Sequence, residues 1–246
     1  MDLMTISAIV PAAGCGVRAG LGRNKVLCAV QGRPLLWWTL RALSRPEALP
    51  CDMSLREIIV AARREEWSAI EEVFAQLPSQ STLVLRCIEG GLSRQQSVHN
   101  AAREARGDWL LVHDAARPML APEVCRRVLQ SAQNSGAAIA AVPVSDTVKL
   151  AASSQSTLEP AVEATLDRRL VWLAQTPQMF RRSLLLQAFE QAARDDFEGT
   201  DCASLVERLQ HSDGARVVTL VEGSAANFKV TFADDLERAA SLLNED

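Results

Sequence analysis

Apolar and polar positions along the chain switch repeatedly between two periods. Short apolar runs occur at positions 6–11, 57–61, 83–88, 109–113 and 137–142. Their length and the Gly, Pro and Asp residues that bound them predict strands. Between them the spacing is helical. Positions 35–43 read as a helix, and so do 65–77, where Trp67, Ile70, Val73, Phe74 and Leu77 share a face. Ser93-Arg94-Gln95-Gln96 has the form of a capping box and opens a helix running toward position 105. Another helix follows Pro122, with Val124, Val128 and Leu129 on one side. Later come helices near 184–193 and 201–209, a strand at 217–221 and a C-terminal helix near 234–243. Strands alternating with helices predict an α/β protein with a doubly wound, mostly parallel sheet covered on both faces. Positions 145–176 break the alternation, with only partial periodicity at 162–166. This stretch reads as a β-arm protruding from a single domain spanning 1–246, the arm at about 145–175.

Open α/β sheets bind ligands beyond the carboxyl ends of their strands. The loops after Pro11, Ile88 and His113 therefore share one rim. The first holds Ala12, Ala13, Gly14, Cys15 and Gly16, followed by Arg18 and Lys25. Backbone N–H groups in such a turn form an anion nest, and the two cations can neutralise phosphates. It is neither a Walker loop nor the dinucleotide fingerprint, since Ala19 stands where a third glycine is needed. A tight structural turn and a phosphate site remain equally open. The second loop holds Gly90 and Gly91, with Ser97 on the helix that follows. The alternatives are recognition of a base and an ordinary strand–turn–helix junction. The third, His113-Asp114-Ala115-Ala116-Arg117-Pro118, ends an apolar strand on a carboxylate. That suits a magnesium-associated or substrate-orienting group, or else a cap. Two further segments carry Thr147 with Lys149 and Arg168, and Asn227 with Lys229 and Thr231.

Composition narrows the field. The net charge is −4, from 26 basic and 30 acidic residues, so a nucleic-acid-binding module is not expected. No apolar run approaches the ~18 residues of a membrane span, and no basic segment precedes an apolar stretch near position 1. The expected setting is cytoplasmic, without membrane association. Six cysteines lie at least 13 positions apart with no zinc spacing, and read as reduced thiols. The three histidines read as structural. The chain has 23 arginines but only three lysines, Lys25, Lys149 and Lys229, and all three fall within the segments above.

PAAGCGVR with Lys25, VHDAARP, PVSDTVK, TPQ at positions 176–178 and NFKVT together resemble the 2-C-methyl-D-erythritol 4-phosphate cytidylyltransferase family, in order and over essentially the whole chain. The resemblance implies a Rossmann-like nucleotidyltransferase fold that uses CTP, 2-C-methyl-D-erythritol 4-phosphate and Mg²⁺ in isoprenoid precursor synthesis. It implies that Ala12, Ala13, Gly14, Cys15, Gly16, Gly90, Gly91 and Ser97 bind CTP, and that Arg18, Lys25 and Lys229 are catalytic. Asp114, Arg117, Thr147, Arg168 and Thr231 would surround the second substrate, Asp114 also serving the metal. The family's arm crosses to a neighbouring subunit, implying a homodimer. Three positions depart from the family pattern: Asn24 for proline, Cys202 for glutamate and Ala226 for an acidic residue. The expectation is that Asn24 loosens the nucleotide loop and that Cys202 weakens support of the site. A pentitol-phosphate cytidylyltransferase and a non-catalytic CTP-binding relative are the competing readings.

Overall fold

The computed structural model describes residues 3–14, 24–78, 82–152, 160–209 and 218–244. Its first strand, β1 (Met4–Pro11), has Ile6, Ala8, Ile9 and Val10 fully buried. A parallel strand covered on both faces favours such an apolar run, broken here only by buried Ser7, whose hydroxyl donates to Glu57 at 2.6 Å. Two small strands, β2 (Ala29–Val30) and β3 (Arg33–Pro34), form a hairpin after it. Gln31 and Gly32 at its tip both have positive φ, as a tight two-residue turn demands. Parallel neighbours of β1 are β4 (Met53–Ala62) on one side and β6 (Trp109–Val112) on the other, with β5 (Val84–Glu89) outside β4. Across the sheet lie β7 (Ala137–Pro143) and, after the arm, β10 (Trp172–Arg181) and β11 (Val218–Glu222). The seven-stranded order is β11-β7-β10-β6-β1-β4-β5, and β10 alone runs antiparallel.

Helices cover both faces. One apolar layer takes in α1 (Leu35–Leu43), α2 (Trp67–Ala75), α4 (Pro122–Ser135) and α7 (Ala233–Leu242). The other takes in α3 (Arg94–Glu104), α5 (Arg182–Arg194) and α6 (Cys202–Glu207). The doubly wound sheet expected from the alternation is therefore present. The capping box is half formed. Ser93 accepts from the Gln96 N–H at 3.2 Å, but the Gln96 side chain accepts from Leu92 N–H, one residue before the cap.

The expected arm contains a separate antiparallel hairpin of β8 (Lys149–Ala151) and β9 (Val162–Thr165). It ends earlier than expected. Residues from Trp172 onward belong to β10 in the middle of the main sheet. The sequence hid this strand because Pro177, which has no N–H for the ladder, argues against an interior strand. The register shifts between Ala174 and Gln178, which carries Gln175, Thr176 and Pro177 through an interruption in the β7 pairing.

Candidate active site

The carboxyl ends of β1, β5 and β6 meet at a cavity of about 310 Å³. Its wall includes Ala12, Ala13, Gly14, Lys25, Gly91, Ser97, Asp114 and Lys229 from the expected set, and Arg94 besides. A second cavity of about 560 Å³ shares Arg94, Asp114 and Lys229 and adds Arg117, Thr176 and Gln178. The two form one cleft divided by the Asp114 carboxylate.

The loops are shaped by close contacts. A Cβ on Gly90 would lie 2.5 Å from Ala13 Cβ, so only glycine lets the second loop approach the first this closely. The Ser97 hydroxyl accepts from Gly91 N–H at 3.0 Å and donates to Ser93 C=O at 2.9 Å. Its first role is thus to fold the Gly90-Gly91 turn. Cys15, Gly16 and Arg18 lie outside the described residues.

Asp114 is the electrostatic centre. Arg94 approaches Oδ1 with two nitrogens, each at 3.1 Å. Lys229 Nζ lies 3.0 Å and Arg117 Nε 3.4 Å from Oδ2. Burial alone would raise the carboxyl's pKa, but the charges of Arg94, Lys229 and Arg117 outweigh it and hold the group well below the usual carboxylate range. Burial lowers the pKa of Arg117, only partly offset by Asp114, whereas for Arg94 the pull of Asp114 wins over burial. Both carboxylate oxygens are therefore spoken for. Among the described residues no group of three or more His, Cys, Asp or Glu could hold a metal ion. The carboxylate orients three cations, Arg94, Arg117 and Lys229.

His113 is fully buried and braces the same loop. Asp114 N–H donates to Thr176 Oγ1 at 3.0 Å, which leaves the hydroxyl proton for His113 Nδ1, also at 3.0 Å. His113 Nε2 lies 2.9 Å from Arg117 C=O, which can only accept, so Nε2 carries the proton. Burial pushes the imidazole pKa down to about 4. Asn227 completes the frame: its side chain donates to Thr176 C=O at 2.8 Å and its carbonyl accepts from Arg117 at 2.7 Å. This frame places Lys229 over the cleft.

Thr231, Thr147 and Arg168 do not line either cavity. Thr231 donates its hydroxyl to Lys229 C=O at 3.1 Å, and its N–H goes to Asp235 at 2.7 Å. Thr147 is exposed near the foot of the arm. Arg168 is exposed as well and donates to Ser145 C=O at 2.7 Å, so the chain does not deliver these two side chains to its own cleft.

Two departures acquire a place. Asn24 is buried and hydrogen-bonded through both ends of its amide, and residues 15–23 of the loop it is expected to loosen lie outside the described residues. Cys202 lies 3.7 Å from Arg94, and burial raises its thiol to about 11, so it stays neutral and gives Arg94 only weak support. Ala226 is exposed. Sequence reasoning missed Arg94, His113 and Thr176. Arg94 hides within a helix-capping pattern, and His113 passes for a core histidine. Thr176 carries a signal, since it stands in one of the motifs behind the resemblance, but nothing along the chain says what it binds.

A parallel α/β sheet that opens at its carboxyl rim onto a glycine-lined, cation-rich cleft defines a class of protein that binds phosphorylated nucleotides there. Within that class the chain belongs to the 2-C-methyl-D-erythritol 4-phosphate cytidylyltransferase family of nucleotidyltransferases, whose model matches residues 6–245. It is 39% identical over 237 residues to the 2-C-methyl-D-erythritol 4-phosphate cytidylyltransferase of Bacillus mycoides, covering 96% of each chain. It is 46% identical over 239 residues to a bifunctional enzyme IspD/IspF of Anaeromyxobacter, covering 97% of this chain and 57% of that longer one. Among solved structures, the family member from Thermus thermophilus is 34% identical with a TM-score of 0.70, each chain covered to 98%. The 4-diphosphocytidyl-2C-methyl-D-erythritol synthase of Anaerococcus prevotii is 26% identical with a TM-score of 0.79, covering 97% of this chain and 98% of that one.

Proposed function

We propose that the chain transfers a cytidylyl group from CTP to 2-C-methyl-D-erythritol 4-phosphate and releases pyrophosphate. The observation that carries this reading is the meeting of Lys25, Arg94 and Lys229 in one cavity with one carboxylate among the described residues, Asp114, where the glycine loops end. Both reactants are polyanions, and such a reaction needs positioning and charge stabilisation more than proton transfer. An oxygen of the acceptor phosphate attacks the α-phosphorus in line. The bond from that phosphorus to the bridging oxygen breaks, and its electrons leave with pyrophosphate. Phosphate is already ionised at neutral pH, so no base is needed. His113, the histidine nearest the site, has both nitrogens occupied.

Asp114 would stand beside a Mg²⁺ carried by the CTP phosphates, and the ion would supply charge neutralisation there. Lys25 and Arg18 take the triphosphate, while Lys229 and Arg117 take the acceptor phosphate. Thr147 and Arg168 act on the cleft of a second copy, so the working form is a homodimer with exchanged arms, each chain a single domain. Exposed Leu150, Val162, Leu170 and Leu173 on and beside the arm support that assembly. Soluble phosphorylated reactants suit a cytoplasmic setting, and no helix among the described residues is long and apolar enough to cross a membrane.

The test is pyrophosphate release with CTP and Mg²⁺, run with 2-C-methyl-D-erythritol 4-phosphate and, separately, ribitol 5-phosphate. Strong preference for the first is expected. Preference for the second overturns the acceptor assignment, and CTP binding without turnover on either overturns the reading as an enzyme.

A further inference from the structure

Asn24 is 3% exposed and uses one side chain three ways. Its Nδ2 donates to Ala12 C=O at 2.7 Å and to Glu66 Oε2 at 3.0 Å. Its Oδ1 accepts from Val26 N–H at 3.3 Å, capping the short turn Lys25–Leu27. Glu66 is itself buried and is held on its other oxygen by Arg63. One amide therefore joins the end of β1, the turn that begins with Lys25 and the start of α2. Asn24 itself lines the cavity, makes no hydrogen bond to Asp114, Arg94 or Lys229, and ties down two neighbours in its wall, Ala12 and Lys25. Its φ is −64°, the value a proline ring imposes. The resembled family places proline here, so Asn24 holds by hydrogen bonds a backbone that a ring would hold covalently.

We infer that Asn24 is a positioning residue for the nucleotide half of the cleft, setting the Ala12 carbonyl and the Lys25 backbone relative to each other. The inference rests on the CTP reading above. Its distinguishing mark is selectivity. The acceptor side, built on Asp114, Arg117 and Lys229, shares none of the Asn24 bonds, so loss of Asn24 acts on CTP alone.

The test measures kcat, both KM values, thermal stability, and CTP affinity by calorimetry for Asn24→Ala and Asn24→Pro in the full chain. Asn24→Ala is expected to lower kcat/KM for CTP by about tenfold or more, the scale of losing buried hydrogen bonds. The acceptor KM is expected to stay within about twofold of the parent. Asn24→Pro, which restores φ without the side-chain bonds, is expected to recover about threefold or more of that loss. A purely structural role would lower stability without this split and without rescue by proline.

The inference is overturned by a folded Asn24→Ala whose kcat/KM for CTP is within about twofold of the parent, by equal rises in both KM values, or by a proline variant no better than alanine. If Asn24→Ala does not fold, Asn24→Ser is read against the same thresholds for the two substrates. Should the parent release no pyrophosphate, the functional reading falls, and calorimetric CTP affinity of the same variants still decides the role of Asn24.

Discussion

Replacing Lys229 by alanine removes a cation 3.0 Å from Asp114 Oδ2 and leaves Arg117 and Arg94 to balance that carboxylate. The predicted consequence is a fall in kcat of ~10²-fold or more, the cost of one preorganised charge-stabilising donor. Lys25→Ala is expected to match it, and steady-state kinetics on folded protein checks both. Near-normal turnover in either would remove that lysine from the catalytic set. His113 yields a pH effect. The unfolded imidazole titrates near 6.5, whereas burial keeps the folded one neutral down to about 4. Between those values the unfolded chain holds the extra proton. Stability from this group is thus complete above pH 6.5 and is lost as pH falls toward 4, by about 3 kcal/mol in total. Urea unfolding at about pH 7, 5.5 and 4.5 should show a shallower dependence in His113→Gln than in the parent; identical slopes would contradict the buried neutral state. At this scale the sequence was partly legible. Asp114 and Lys229 stood out because a carboxylate ending an apolar strand and a rare lysine are poorly explained by packing. His113 did not, because a core histidine reads the same along the chain whatever it binds, and Asn24 stood out only as a departure from the family pattern, its partners being unreadable from the sequence.

At the scale of elements, two glycines separate catalysis from folding. Gly107 lies before β6, and a Cβ there would come within 2.6 Å of Ser7 N and 2.8 Å of Ile6 C, both backbone atoms of β1. Gly107→Ala is expected to cost ~1–3 kcal/mol in urea unfolding while the folded enzyme keeps its KM values. Gly90→Ala pushes instead on Ala13, in the nucleotide loop, and is expected to raise the CTP KM by about tenfold or more with a smaller change in stability. The opposite pattern for the pair would mean the glycine loops serve packing alone. The strands β1, β4, β5, β6 and β7 and the helices between them were readable, because burial on one or both faces imposes a period on the sequence. Strand β10 was not, although Gln175 to Phe180 are buried within it. Its centre is polar because Gln178 donates to Asp201 at 2.6 Å and Thr176 binds His113 and Asp114. Side chains selected to brace a site conceal the hydrophobic run that would announce a strand.

At the scale of the molecule, the arm leaves Leu150 at 45%, Val162 at 61% and Leu170 at 80% exposure, more apolar surface than a protruding hairpin needs. Val162→Glu is expected to shift the chain from dimer to monomer in sedimentation velocity and to abolish most turnover. A monomeric parent with full activity would refute arm exchange. Arg168→Ala is expected to raise the acceptor KM with less effect on CTP, since Arg168 does not line the cleft of its own chain. The α/β class, the succession of most elements, the rim on which ligands meet and the family were all written in the linear chain, because hydrophobic period and loop chemistry are local properties. Folding had to bring distant parts together before three other facts existed: β10 enters the sheet antiparallel, Arg94 and Asn24 line the cleft, and Asp114 meets three cationic side chains. Those outcomes depend on which remote side chains come within hydrogen-bonding distance, and no spacing along the chain encodes that distance.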